Sequence, residues 1–107
     1  MSINNVDYFK ITEVAHAEFV VAGGAAGFVS TDISSAIPGN ARWSIWMVFP
    51  SGNQNAGVRS PFSSVDTKHG AANGVNCFVG TAQVIGGKVE FYRDAANNAY
   101  YCTEYIR

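Results

Sequence analysis

Val75-Asn-Cys-Phe-Val79 stops at Gly80, Ala82-Gln-Val-Ile85 stops at Gly86-Gly87, and Lys88-Val-Glu-Phe-Tyr-Arg93 stops at Asp94-Ala-Ala-Asn-Asn98. A fourth run, Ala99-Tyr-Tyr-Cys-Thr-Glu-Tyr-Ile106, follows. These are short apolar segments of β-branched and aromatic residues, each ended by Gly or Asn. Helices need longer periodic runs, whereas strands of this length joined by a Gly-Gly turn predict antiparallel hairpins. The fold class follows from this stretch: an all-β chain.

Upstream, the same grammar recurs. Residues 6–14 are rich in β formers and predict a first strand. Ala15 to Ala22 mixes helix-favouring Ala and Glu with Phe19-Val20-Val21, and the Gly23-Gly24 that follows favours a strand ending in a turn. Gly27 to Thr31 is expected to be the return arm of that hairpin. Ile37-Pro38-Gly39-Asn40 is a strong turn signal. Arg42-Trp-Ser-Ile-Trp-Met-Val-Phe49 is the clearest strand. Side chains alternate across a strand, so Trp43, Ile45, Met47 and Phe49 share one face, expected to be the core side. Arg42, Ser44, Trp46 and Val48 share the other, which is half apolar and is expected to meet a covering layer or a neighbouring subunit. Residues 50–57 and 66–74 are expected to be loops, and 58–65, interrupted by Pro61, an edge strand or an ordered loop. About seven to nine strands result, the pattern of one antiparallel β-sandwich or small barrel, jelly-roll-like, over residues 1–107.

Composition bounds the function. One domain of 107 residues buries roughly two thirds of its unfolded surface and needs no staple to fold. Charged residues are only 14% of the chain, against roughly 25% in ordinary soluble domains. Nine Asn, nine Ser and 11 Gly take their place. A surface so poor in charge packs against copies of itself with little repulsion. The net charge of −1, with Lys10, Arg42, Lys68 and Arg93 scattered, opposes a nucleic-acid footprint, which needs clustered cations. It equally opposes an anionic membrane surface, and no run has the length to span a bilayer. The opening residues lack a basic region followed by an apolar one, so a cytoplasmic chain without a signal peptide is expected. Cys77 and Cys102 lie mid-strand and read as buried thiols, a disulfide between them being the less favoured alternative. They lack zinc-ligand spacing.

Catalytic and ligand chemistry finds little support. His16 and Glu18 project from one side of a strand but lack a third partner. Asp66 and His69 are near one another, yet no Gly-x-Ser-x-Gly elbow accompanies them. Val20 to Gly27 superficially suggests a phosphate loop, but the helix that must follow is missing. Asp94, Asn97 and Asn98 offer oxygens for calcium, and lone Asp-Asn loops are ordinarily turns. No cofactor or metal is therefore expected, and the chain reads as a non-enzyme.

Aromatic residues carry the site expectation. Seven Phe, five Tyr and two Trp exceed what a small core readily hides. Trp46, Tyr101 and Tyr105 fall on mixed faces of their strands. Asn53 and Asn55 in one loop, and Asn97 and Asn98 in another, stand as polar companions. Rings beside amides serve either as subunit-contact anchors or as a lectin-like grip on a cell-surface glycan, the ring stacking on the sugar and the amides taking its hydroxyls.

The charge-poor, Ala/Gly/Asn/Ser-rich β pattern, the missing signal peptide, and the stretches Arg42 to Phe49 and Gly87 to Arg93 together resemble the small β-structured virion proteins of tailed bacteriophages: tail, tail-fibre and capsid-decoration components. The resemblance is one of composition and strand pattern along the whole chain and transfers no residue roles. It implies a structural protein of a virion that acts as a homo-oligomer or beside other virion proteins. The alternative from the residues themselves is a carbohydrate-binding module.

Overall fold

A computed structural model describes residues 11–38 and 40–107. Among them are nine strands and no helix: β1 (Ile11–Val21), β2 (Gly27–Asp32), β3 (Trp43–Pro50), β4 (Gln54–Ala56), β5 (Val58–Arg59), β6 (His69–Ala71), β7 (Cys77–Gln83), β8 (Lys88–Arg93) and β9 (Asn98–Ile106). They form a four-stranded sheet in the order β1-β9-β3-β7, a three-stranded sheet β2-β8-β5, and a two-stranded ribbon β4-β6. Every described pairing is antiparallel. The all-β expectation holds, and the arrangement is a small β-sandwich.

The two larger sheets meet through an aromatic seam. Trp46 of β3 packs edge-on against Phe91 of β8, with ring centroids 4.8 Å apart, and Phe91 stacks on Tyr100 of β9 at 4.3 Å. Each such pair contributes roughly 0.5–1.5 kcal/mol beyond the area it buries. Val48, Val58, Val89, Ile33 and Ile37 complete a core that water does not reach.

Three expectations are corrected. The first concerns connectivity. Gly86 and Gly87 do make the tight turn, both at positive φ (60° and 73°), closed by the Ile85–Lys88 pair of backbone hydrogen bonds. The strands they join nevertheless belong to different sheets, β7 to the larger and β8 to the smaller. The 94–97 turn likewise carries the chain from β8 back to β9 in the larger sheet, and β2 pairs with β8 rather than with β1. These links are arches across the core. Turn residues encode the reversal of direction, but not which strand is then paired.

The second correction concerns strand boundaries. The expected stop at Gly80 is a bulge inside one continuous strand β7: the register with β3 slips between Trp46 and Met47, where Gly80 sits at φ 142°. The described part of the first two expected strands is likewise one strand, β1, with a register shift between Glu13 and Ala17. Residues 6–10 of the first expected strand lie outside the described residues. The loops expected over 50–57 and 66–74 each contribute a short strand, β4 and β6.

The third concerns the facing of β3. Ser44, Trp46, Val48 and Pro50 point inward, while Trp43 and Phe49 are exposed. Ser44 resembles a solvent position in the sequence, but its hydroxyl accepts the Trp46 indole N–H at 2.6 Å and donates to the Ala82 carbonyl at 3.1 Å. A buried indole needs that acceptor, so the serine belongs inside with the tryptophan.

Candidate functional site

The inversion of β3 turns the residues expected in the core onto the outer face of the four-stranded sheet. Register places Glu18, Tyr101, Met47 and Phe78 in one row across β1, β9, β3 and β7. Val20, Ala99 and Phe49 form the row above, and Ile106, Trp43 and Gln83 one nearer the other end of the strands. Four large apolar side chains on this face remain open to solvent: Val20 (57%), Trp43 (43%), Phe49 (44%) and Phe78 (57%).

The outer face of the smaller sheet is built differently. There the Arg59 guanidinium lies 3.9 Å above the Phe28 ring and pairs with Glu90 at 2.6 Å. Phe28 also meets Tyr92 edge-on at 5.2 Å. Cations over rings and an ion pair finish that surface for water. No comparable cation covers the aromatic residues between Trp43 and Phe49 on the larger sheet among the described residues.

Two clefts lined by described residues lie near these positions. One, of about 450 Å³, is lined by Glu18, Phe49, Asn76 and Tyr101 on the bare face. The other, about 540 Å³, is lined mainly by Asn53, Gln54, Asn55, Asp94 and residues 70–72.

The site residues expected from the sequence are thereby separated. Tyr101 is half-buried in the first cleft, while Asn53 and Asn55 line the second. Trp46 is wholly enclosed in the aromatic seam and presents nothing to a ligand or subunit, which corrects its assignment as a contact residue. Tyr105 is also inside. The register of β9 against β3 slips between Ile45 and Trp46, leaving Thr103 as an extra residue and turning Tyr105 to the core side. An extra residue in one strand reverses the facing of everything after it.

Several of the asparagine amides are engaged by the fold. Asn98 is buried: its Oδ1 accepts from Gln54 Nε2 at 2.8 Å, and its amide N–H groups reach the Asn55 and Tyr92 carbonyls. Asn97 Oδ1 accepts the Gly23 N–H at 2.8 Å, and Asn53 Oδ1 accepts the Asn73 N–H at 2.8 Å. Asp94 accepts N–H groups from Asn55 and Ala95. Beside Asn98, the Tyr100 hydroxyl accepts the Gly57 N–H at 3.1 Å and donates to the Tyr92 carbonyl at 2.7 Å. Burial pushes its pKa up to about 12. These groups hold the 22–26, 50–57 and 94–97 segments together, so the glycine-rich stretch after β1 is a docked turn. Gly23 is obligatory there, because a Cβ would lie 2.2 Å from the Ala95 carbonyl oxygen.

The remaining candidates for chemistry are likewise occupied by structure. The His69 ring nitrogens lie 3.2 and 3.4 Å from the Val79 and Gly70 carbonyl oxygens, and Asp66 pairs with Lys68. Cys102 is a buried free thiol, pushed up to about 11 by its burial, and Cys77 is free and half-buried. The side chain of His16 lies outside what the structure describes. Among the described residues no three His, Cys, Asp or Glu side chains gather as metal ligands, and no helix is long and apolar enough to cross a membrane.

Sequence reasoning missed Trp43, Phe49, Phe78, Val20, Glu18 and Asn76 as surface residues. A signal for the phase of β3 was available in Pro50, which closes the strand on the Trp46 face and is buried with it. Comparison with known proteins adds no likeness: no family model, curated protein or solved structure matches the chain.

Proposed function

We propose that the chain is a non-enzymatic assembly subunit that acts through contacts between its own copies, as a component of a tailed-phage virion such as a tail, tail fibre or capsid decoration. The observation that carries the reading is the bare outer face of the four-stranded sheet. Trp43, Phe49, Phe78 and Val20 stand exposed together, Tyr101, Ile45 and Met47 lie half-buried between them, and the opposite sheet's outer surface is capped with charge. Large apolar side chains exposed on one sheet face, with only the Glu104–Ile45–Thr81 row between Trp43 and the others, mark an interface. Aromatic anchors with few charges are what interface centres are made of. The virion assignment rests on the resemblance in composition and strand pattern.

Light scattering across a concentration series tests it. The wild-type chain is expected to give a mass several times the 11.4 kDa monomer. The double substitution Trp43→Ser/Phe78→Ser should return it to monomer with its unfolding midpoint little changed. A wild-type chain that stays monomeric at high concentration sinks the reading.

The first cleft favours a second reading. Two rings, Phe49 and Tyr101, stand beside a carboxylate, Glu18, and an amide, Asn76, a set suited to stacking a neutral sugar and holding its hydroxyls. In that case Tyr101→Ala abolishes binding on a glycan array and leaves the mass unaltered.

A further inference from the structure

After β5 the chain makes the turn Ser60-Pro61-Phe62-Ser63. Phe62 has a φ of 66° and is the sole non-glycine residue with positive φ among the described residues. The Ser63 N–H donates to the Ser60 carbonyl at 3.2 Å. Pro at the second position and positive φ at the third match a type II turn, whose third position ordinarily takes Gly or Asn. A bulky side chain there is an outlier held by its surroundings, and such strain concentrates at functional sites. The benefit is not burial: Phe62 is 91% exposed, the most exposed large apolar residue described.

The turn is firmly held. Ser60 Oγ accepts the Gln83 N–H at 2.9 Å, Arg59 donates to the Val65 carbonyl at 3.2 Å, and the Val65 N–H donates to Ser63 Oγ at 3.2 Å. A phenyl ring is thus displayed on a fixed support.

On the assembly reading above, we infer that Phe62 of one copy seats in the cleft lined by Glu18, Phe49, Asn76 and Tyr101 of the next, so that copies join head to tail. Position, size and charge favour this pairing. Ser60 is tied to Gln83, which lies opposite Trp43 at one end of the four-stranded sheet. The cleft lies at the other end, where Phe49 ends the exposed row and Asn76 precedes Cys77, the partner of Val48. Six residues of strand, about 20 Å, separate Trp43 from Phe49, so a copy's ring and its own cleft do not meet. An apolar cavity of about 150 Å³ holds a benzene ring, and the cleft, at about 450 Å³, admits the Phe62 ring with space for a neighbouring side chain.

Charge is complementary between the two ends. Arg42, Lys88 and Arg107 lie at the Phe62 end with two carboxylates, Asp32 and Glu104, so that end carries a small excess of cations: the Arg42 guanidinium donates to the Arg107 carbonyl, Lys88 stands opposite Asp32, and Glu104 stands opposite Ile45, two positions from Trp43. Glu18, in the cleft, has no cationic partner among the described residues. A contact between two different patches is heterologous, and it propagates into a ring or a filament rather than closing as a two-fold dimer.

Sedimentation velocity on two variants and their mixture decides the matter. Phe62→Asn removes the ring while suiting the backbone, and Phe49→Ser spoils the cleft. Wild-type protein should sediment as species larger than a dimer, and each variant alone at the 11.4 kDa monomer mass. The equimolar mixture should give dimers, because one intact ring and one intact cleft remain between the two variants. Phe62→Asn or Phe49→Ser assembling as wild type, or a mixture that stays monomeric, overturns the inference. If Phe62→Asn still assembles and Trp43→Ser/Phe78→Ser does not, the assembly reading survives without it. A monomeric wild type removes both.

Discussion

Tyr100 and Tyr101 are adjacent residues with opposite surroundings, one in the core and one half-buried on the outer face, and removing the hydroxyl from each separates core from outer-face chemistry. In Tyr100→Phe, the ring continues to stack on Phe91, so the apolar contact is retained. What is lost is the acceptor for the Gly57 N–H and the donor to the Tyr92 carbonyl. The carbonyl keeps a long contact from Asn98 Nδ2 at 3.4 Å. The Gly57 N–H is buried and has no other acceptor among the described residues. Leaving a buried donor unmet costs roughly 1–3 kcal/mol, on top of about 1 kcal/mol for the lost bond to Tyr92. A total near 3 kcal/mol is expected, and at about 4 °C per kcal/mol the midpoint should fall by roughly 12 °C. Urea denaturation measures it directly, with the slope against denaturant unchanged if only stability has moved. Tyr101→Phe, on the outer face, should stay within about 0.5 kcal/mol of wild type. Equal effects from the two substitutions, or a loss under about 1 kcal/mol for Tyr100→Phe, would refute the assignment of the Tyr100 hydroxyl as the clasp between Gly57 and β8.

Three further outcomes are expected. Stability should fall at alkaline pH. Tyr100 is pushed up to about 12 and Cys102 to about 11 in the folded chain, so the unfolded chain releases both protons first, near pH 10 and 9, and is favoured from there upward. The loss should run between about pH 9 and 12, and Tyr100→Phe should flatten its upper part in a pH series of urea midpoints. Gly23→Ala drives a methyl group against the Ala95 backbone and should destabilise by about 1–3 kcal/mol, with greater protease sensitivity in the 22–26 and 94–97 turns. Phe62→Asn places a residue tolerant of positive φ in the type II turn, and should raise stability by about 1 kcal/mol in calorimetry of dilute monomer; a loss of stability contradicts the strain assigned to that turn.

Fold class was legible because strand length and Gly/Asn punctuation are local properties, although Gly80, expected to end a strand, is a bulge within β7. Pairing was not, since the Gly86-Gly87 turn is compatible with either a hairpin or an arch. Face assignment failed at β3 because both of its faces are apolar, and the decisive interaction, the Ser44 hydroxyl receiving the Trp46 indole, leaves no periodic trace. It failed again at Tyr105, where a single extra residue at Thr103 reverses the alternation. Of the expected site residues, Tyr101 lies half-buried on the outer face of the larger sheet. Asn97 and Asn98 carry amides suited to a ligand, but Gly23 takes up the first and Gln54 and Asn55 the second, partners more than 40 residues away in sequence, a distance over which composition says nothing.

The placement of β9 between β1 and β3 has a consequence for biogenesis. The larger sheet lacks its middle strand until Asn98–Ile106 has left the ribosome, so β1 and β3 wait with open edges while the intervening chain is synthesised. Unpaired edges of that kind invite association between nascent chains. Pairing across so long a stretch of chain is also slow. Holdase chaperones that shield such edges should therefore raise the soluble yield of this protein more than lower temperature or slower induction alone.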